Sequence, residues 1–255
     1  MLLCTVRDCR LTLRREERRV VCDKGHTFDI ARSGYINLLG PQDRRSRQPG
    51  DTTAAVAARR RIHDRGFTAP LLDRILEFTR PEANDIVLDA GCGEGFYLGS
   101  IAERSGCSAH GIDIAVAAAD AAASRYPQCE WVVANADRNI PYSDHSFSLV
   151  LSITGRLNDA EFRRVLRPDG GLLVVVPAPD DLIELRGKGR NRVERTLSEA
   201  KSFKLLRQDR VTTSADLDAA AVDDILHSIY RPLQSEPARA MRLTFSLDLL
   251  LFAFD

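Results

Sequence analysis

The sequence predicts an α/β protein: a doubly wound, mostly parallel sheet preceded by a small metal-binding unit. Three observations lead to this prediction. Short apolar, β-branched segments alternate with helical segments from about residue 81 onwards, a pattern typical of parallel sheets. A glycine-rich turn follows the first of these segments. Three cysteines and a histidine crowd the first 26 residues, which favours a metal site over a disulfide framework.

Composition excludes several other classes of protein. Of the 255 residues, 44% are hydrophobic, so wholesale disorder is excluded. No apolar run approaches the ~18 residues that a membrane span needs. Charged residues begin at Arg7, so we expect no signal peptide, no membrane partner and a cytoplasmic protein.

The net charge of zero hides an asymmetry along the chain. Residues 1–65 contain 15 basic and 8 acidic residues, a net charge of +7, and the remaining 190 contain 21 and 28, a net charge of −7. A basic head of this kind favours a polyanionic partner. The alternative is a basic face that only balances the acidic body.

The first forty residues are predicted to hold one structural zinc ion. Cys4 and Cys9 form one close pair, and Cys22 and His26 form another after a twelve-residue arm. Three thiolates and an imidazole complete the tetrahedral shell of a structural zinc site, and a unit of ~40 residues needs such support to fold. The arm is predicted to fold as a hairpin with strands at 11–13 and 20–21. The alternative is three reduced, buried cysteines beside an unrelated histidine.

A basic linker and a helix follow this unit. Residues 41–49 are polar and basic, and Thr52 or Asp51 is predicted to cap a helix that runs to about residue 65 and ends at Gly66. The arginine run at 59–61 could bind phosphates or form a solvated face, and both alternatives stay open. The candidate RNA-binding cations are Arg44, Arg45, Arg47, Arg59 and Arg60.

The glycine-rich turn predicts a nucleotide-like ligand. A buried strand at 86–89 leads directly into Gly91, Gly93 and Gly95, and a helix begins at Phe96. Glycines at such a turn let a ligand approach the backbone closely. A second strand ends at Asp113, twenty residues beyond Gly93, where a carboxylate can accept both hydroxyls of a ribose.

The details of this turn favour S-adenosylmethionine over a nicotinamide cofactor. The third glycine comes one position too early for the dinucleotide pattern, and Phe96 occupies the position of its glycine or alanine. Asp89 would repel a pyrophosphate but can bind the ammonium of an amino acid. The candidate cofactor-binding residues are Asp89, Gly91, Gly93, Gly95, Phe96, Tyr97, Asp113, Asn135, Ala136 and Asp137.

The remaining elements complete the doubly wound pattern. The last segment alternates in polarity, which suits an antiparallel strand at an edge of the sheet. The expected strands lie at 109–113, 131–137, 149–153, 172–176, 205–213 and 241–254, the expected helices at 161–166 and 216–229, and a turn at 167–171.

The chain resembles the bacterial 23S rRNA (guanine-N1) methyltransferases of the large-subunit methyltransferase A type. The cysteine ribbon and the stretches 28–39, 45–52, 87–97 and 164–171 carry the resemblance, which covers roughly residues 1–185. It implies a zinc-binding RNA-recognition domain over 1–40, a basic linker and helices over 41–80, and a class I (Rossmann-like) methyltransferase domain over 81–255. It also implies methylation of a guanine in a 23S rRNA hairpin near the peptide exit tunnel, with macrolide resistance in some members. A homodimer stays open.

The region after the fourth predicted strand departs from this family. Residues 152–156 stand where relatives tend to carry an aromatic-Ala-Pro turn beside the methyl acceptor, so Thr154 and Arg156 are the candidate acceptor contacts. Asp159, Glu161 or a water molecule could take the guanine proton. Two further functions stay open: a small-molecule methyltransferase that kept the ribbon as a scaffold, and a non-catalytic RNA-binding protein.

Overall fold

The first described segment is a small antiparallel ribbon. The structure is a computed structural model that describes residues 1–7, 9–40, 50–229 and 237–254. Its first strands are β1 (Arg14–Glu16), β2 (Arg19–Val21) and β3 (Thr27–Asp29), in the sheet order β1-β2-β3. The predicted hairpin is present, but its first strand lies at 14–16 rather than 11–13, because Thr12 forms a separate bridge with Leu3.

An eight-stranded sheet forms the body, with the order β10-β11-β9-β8-β5-β6-β7-β4. Five strands that are adjacent in the sheet are mutually parallel, as the sequence predicts: β9, β8, β5, β6 and β7. Strand β11 runs antiparallel to both of its neighbours, β9 and β10. The expectation that the last segment lies at an edge is wrong, because β11 inserts between β9 and β10. The strands are β4 (Ile36–Asn37), β5 (Ile86–Ala90), β6 (Ser108–Asp113), β7 (Glu130–Val133), β8 (Phe147–Ile153), β9 (Leu166–Pro177), β10 (Phe203–Leu217) and β11 (Met241–Phe254).

Helices cover both faces of this sheet, and their starts agree with local capping signals. The Thr52 side chain accepts a hydrogen bond from the Ala55 amide at the start of α1, and Asp218 caps α8 through the Ala221 amide. The predicted turn at 167–171 is instead an irregular part of β9, where the register against β8 shifts. The helices are α1 (Thr53–Asp64), α2 (Ala69–Thr79), α3 (Phe96–Ser105), α4 (Val116–Arg125), α5 (Asp159–Val165), α6 (Ile183–Arg186), α7 (Val193–Glu199) and α8 (Ala219–Ser228).

The ribbon and the sheet share one hydrophobic core. Strand β4 pairs in parallel with β7 and so extends the large sheet. Leu13 and Val20 of the ribbon belong to the same buried cluster as Val132 of β7 and Val150 of β8. A unit of this size buries too little apolar surface to be stable alone. The ribbon is therefore packed against the sheet through this shared cluster, and the domain boundary at residue 40 stays a prediction.

Helix α1 is attached to α8 by arginines that the sequence left unassigned. Arg61 forms a bidentate pair with Asp224: its Nε lies 3.0 Å from both carboxylate oxygens, and its Nη2 lies 2.6 Å from Oδ1. One turn further along, Arg65 forms a second bidentate pair, with Asp218. These charged pairs flank an apolar contact that includes Ile62 of α1 and Val222 of α8. Arg61 of the arginine run at 59–61 thus forms an ion pair within the chain.

Among the described residues, the longest helices have 12 and 11 residues. None of them is long and apolar enough to cross a membrane.

Two glycines with similar backbone angles provide a matched test of packing at the start of α3. Gly95 has φ +83°, and a Cβ there would lie 2.6 Å from the Trp131 ring. Gly66 has φ +79°, and no described atom lies within 4 Å of its Cβ position. We expect Gly66→Ala to lower the free energy of unfolding by about 1 kcal/mol, through backbone strain alone. Gly95→Ala adds a steric clash and should cost about 2 kcal/mol more. Urea unfolding of both variants measures this difference, and equal losses would contradict the packing described for Gly95.

Candidate functional site

The glycine loop lies at the carboxyl end of the sheet, between β5 and α3. The amides of Gly91 and Cys92 both donate to the Ile112 carbonyl, at 2.8 and 3.0 Å, which draws the loop over the end of β6. All three glycines of the loop have positive φ angles, +92°, +55° and +83°. Only glycine adopts this conformation readily. The structure therefore requires the glycines that the sequence singled out.

Asp89 is a buried carboxylate beneath this loop. Asp89 is 2% exposed. Within the described chain, its Oδ1 atom has no hydrogen-bond partner. Burial and the neighbouring Asp113 carboxylate raise the pKa of Asp89 to about 8. An unsatisfied buried acceptor is costly, and a cationic ligand group would satisfy it. The ammonium of an amino acid fits this position.

Asp113 lies at the end of the adjacent strand and is held by the backbone. Its Oδ2 accepts a hydrogen bond from the Gly93 amide at 2.9 Å, and its Oδ1 accepts one from the Ala115 amide at 2.8 Å. Burial nevertheless raises the pKa of this carboxyl. Because each carboxylate oxygen can accept a second bond, Asp113 fits the predicted role toward two ribose hydroxyls.

The candidate cofactor-binding residues Asn135, Ala136 and Asp137 lie in a loop, because β7 ends at Val133 rather than at residue 137. Asn135 folds this loop back, since its side-chain oxygen accepts a hydrogen bond from the Asp137 amide. The Ala136 carbonyl accepts one from the Asn158 side chain at 2.9 Å. This loop is therefore linked to the chain that follows β8.

The candidate acceptor turn lies next to the glycine loop. Thr154 has φ +56°, and its amide donates to the Val175 carbonyl at 2.8 Å. The Cα atom of Gly155 lies 4.0 Å from the position of a Cβ on Gly91. Arg156 is exposed and contacts Asp137, with 3.5 Å between Nε and Oδ2. The structure thus brings Thr154 and Arg156 to the rim of the predicted cofactor site.

A buried charged group that the sequence reasoning missed lies on the other side of the loop. Glu94 is 1% exposed, and neither of its carboxylate oxygens has a hydrogen-bond partner in the described chain. The nearest charged group is Arg125, with 3.6 Å between Nη1 and Oε2. Burial raises the pKa of Glu94 to about 7. An acidic residue between two loop glycines is a sequence signal that could have indicated this position.

His63 of α1 packs against this group as a neutral ring. It stacks on Phe96 with 4.2 Å between the ring centroids, and Tyr97 contacts it edge-on. Burial lowers the pKa of His63 to about 3, so its contact with Glu94 at 3.8 Å is not an ion pair. Phe96 and Tyr97 therefore have a packing role, and their contact with a cofactor stays a prediction.

The structure brings the four predicted metal ligands together in the ribbon. The ligand atoms of Cys4, Cys9, Cys22 and His26 all lie within 4.8 Å of one another. The Nδ1 atom of His26 is 3.4 Å from the sulfurs of both Cys4 and Cys22, and the sulfurs of Cys9 and Cys22 are 3.8 Å apart. Three sulfurs and one imidazole nitrogen at these separations suit a single tetrahedral zinc ion.

The predicted RNA-binding arginines are placed unequally. Arg44, Arg45 and Arg47 lie outside the described residues. Arg60 is exposed and lies 3.9 Å from Asp64. The Arg59 side chain is only 26% exposed and pairs with Asp51. An RNA contact stays a prediction for all five residues.

Comparison with known proteins matches both parts of the chain. A family model described as a methyltransferase domain matches residues 87–170, and one described as "RlmA, N-terminal", a zinc ribbon, matches residues 4–47. A Streptomyces fradiae protein named 23S rRNA (guanine(748)-N(1))-methyltransferase is 36% identical over 231 residues, 86% of this chain and 81% of that protein. The chain belongs to this family. A Bacillus subtilis protein, provisionally named a 23S rRNA (guanine-N(1)-)-methyltransferase, is 35% identical over 73% of this chain and 67% of its own length.

Solved structures confirm the class I fold of this methyltransferase domain. The YcgJ protein of Bacillus subtilis matches 72% of this chain and 98% of its own, with a TM-score of 0.52 and 16% identity. A cyclase named SpnF matches 71% of this chain and 78% of its own, with a TM-score of 0.53 and 17% identity. Because a cyclase shares the fold, the fold does not determine the reaction.

Asp89 provides a test of the buried carboxylate. Its pKa is raised from about 4 to about 8, so between these pH values the folded state binds a proton that the unfolded state has lost. Stability from this group therefore falls as the pH rises through that window. We expect Asp89→Asn, which does not ionise, to raise the free energy of unfolding of the ligand-free protein by about 4 kcal/mol more at pH 8 than at pH 5, because the three pH units between them lie inside this window.

Urea unfolding at the two pH values measures this difference. The exposed carboxylate of Asp169 provides the control, because Asp169→Asn should change stability by less than about 0.5 kcal/mol at both pH values. An Asp89→Asn effect that is the same at pH 5 and pH 8 would show that Asp89 is not buried as described.

Proposed function

We propose that this chain transfers the methyl group of S-adenosylmethionine to N1 of a guanine in 23S rRNA. One observation supports this proposal most strongly: two different sites pack on the same hydrophobic core. One is the group of four candidate zinc ligands, and the other is a loop whose buried acids suit S-adenosylmethionine. The match to the Streptomyces fradiae methyltransferase covers 81% of that protein's length. Action on rRNA implies a cytoplasmic location.

The loop residues fit the cofactor by their chemistry. Asp89 has an unsatisfied oxygen for the ammonium, Asp113 is oriented for the ribose hydroxyls, and the loop at 135–137 is left for the adenine. S-adenosylmethionine supplies a methyl carbon already activated by its sulfonium, so the protein needs no covalent nucleophile. Its contribution is to align the acceptor with that carbon and to exclude water.

Guanine N1 lies on the Watson–Crick edge, so the base must be unpaired or flipped out of its helix before transfer. Thr154 and Arg156, at the rim of the site, are the proposed contacts to the base. Two of the three candidates for the N1 proton have structural roles instead. Asp159 accepts two hydrogen bonds from Ser202, and Glu161 accepts bonds from Arg164 and from the Ile140 amide. We therefore assign the proton to a water molecule.

Exposed cations support an RNA substrate. The basic head has a net charge of +7, and phosphate contacts supply most of the affinity for RNA. Residues 186–210 contain nine basic and three acidic residues. Within them Lys188, Arg190 and Arg192 are exposed between α6 and α7, whereas Arg186 and Arg210 pair with Asp181 and Asp248. The first three are the proposed phosphate contacts of this segment.

Zinc in the ribbon gives a prediction for metal content. We expect one zinc ion per chain in the purified protein, and Cys22→Ser should lose it and lower stability, because metal binding contributes to folding. Cys107→Ser replaces a buried cysteine outside the cluster and should retain the metal. Elemental analysis and thermal unfolding measure both effects, and a wild-type protein that is folded without metal would refute the zinc assignment.

The proposed activity is tested on RNA from cells that lack the gene. Total rRNA incubated with the protein and S-adenosylmethionine labelled in its methyl group should gain label in one 23S rRNA hairpin. Reverse transcription should stop there, because an N1 methyl group blocks base pairing. Asp89→Asn should abolish the label, and Asp169→Asn should retain it. Label only in small metabolites would identify a small-molecule methyltransferase, and an absence of label would identify a non-catalytic protein.

A further inference from the structure

Arg59 of α1 lies directly on the glycine loop. Its Nη1 atom is 3.6 Å from the position that a Cβ on Gly93 would take. Its side chain is 26% exposed. The cation therefore reaches the central glycine of the loop from the helix that covers it.

Two bonds from different parts of the chain orient this guanidinium. Its Nη1 donates to Asp51 Oδ2 at 2.5 Å, and its Nη2 donates to the Ser228 carbonyl at the end of α8 at 2.8 Å. Asp51 follows Gly50, which packs so closely on Ala115 that a Cβ would lie 2.7 Å from that side chain. The two bonds use two of the five N–H groups of an arginine, so donors are left for a ligand.

The charges around the loop indicate which part of the ligand Arg59 suits. Asp89 and Asp113 are acids, and they suit an ammonium and hydroxyl groups. A second cation, Arg125, contacts Glu94 and Asp64. The amino-acid tail of S-adenosylmethionine carries one negative group, its carboxylate, and no acid of the loop can bind it.

We propose that Arg59 binds the α-carboxylate of the amino-acid tail of the cofactor, with Asp51 and the Ser228 carbonyl as its positioning partners. This inference rests on the proposed function, because it requires an adenosyl amino acid at the loop. A half-buried guanidinium with two protein partners is less suited to an RNA phosphate than an exposed one, since phosphate contacts are made at an accessible surface.

Two ligands that differ by the amino-acid tail separate this role from a structural one. S-adenosylhomocysteine carries the carboxylate, and 5′-methylthioadenosine lacks the whole tail. Titration calorimetry on the full-length protein should show that Arg59→Gln lowers the affinity for S-adenosylhomocysteine by about 10- to 100-fold. This is the range expected for the loss of a hydrogen bond to a charged group. The affinity for 5′-methylthioadenosine should change by less than about threefold, well under 1 kcal/mol. Arg59→Lys should restore part of the loss, because it restores the charge without the planar fork.

Arg61→Gln is the matched control. Arg61 lies on the same helix and pairs with the same α8, so its loss should lower stability without changing the ratio of the two affinities. If Arg59→Gln lowered the affinity for both ligands equally, or changed neither affinity, the proposed role of Arg59 would be overturned. A wild-type protein that binds both ligands equally would overturn it while leaving the proposed function intact. A wild-type protein that binds neither ligand would overturn the proposed function as well.

Discussion

Two buried carboxylates at the ends of neighbouring parallel strands determine how the cofactor end of this molecule is built. Asp113 accepts a backbone hydrogen bond on each oxygen, whereas Asp89 keeps an oxygen without a partner in the described chain. Burial and mutual repulsion therefore act most strongly on Asp89. A group that destabilises the ligand-free protein in this way is typical of a binding site, where the ligand supplies the missing partner.

The surrounding structure buries these carboxylates and fixes their positions. The loop glycines adopt backbone angles that other residues avoid, and Trp131 fills the space beside Gly95. Helix α1 covers the loop and is itself attached to α8 through Arg61 and Asp224, which are 163 residues apart in the chain. The zinc ribbon contributes to the same body, because its apolar side chains pack into the core of the sheet. The cysteine-histidine cluster, the sheet and the glycine loop are thus parts of one packed unit.

Local patterns predicted much of this arrangement. The cap at Thr52, the strand that contains Asp89, the glycine turn and the four clustered metal ligands each depend on residues close in sequence, or on a motif with fixed spacing. Contacts between distant segments were not predictable. Arg59 donates to the Ser228 carbonyl and Arg61 pairs with Asp224, both on α8. The alternating pattern of β11 did not reveal its place between β9 and β10, and the two-residue β4 is too short to leave a periodic signal. His63 was missed because its neutral state follows from burial against Phe96, which only the folded chain shows.

We propose that the turn from Asp89 to Gly95 binds an adenosyl amino acid rather than a dinucleotide. Calorimetric titration of the intact, zinc-loaded protein with S-adenosylhomocysteine and, separately, with NADH tests it most directly. We expect saturable heat with one site per chain for S-adenosylhomocysteine and no binding heat for NADH. Binding of NADH together with no heat from S-adenosylhomocysteine would contradict it.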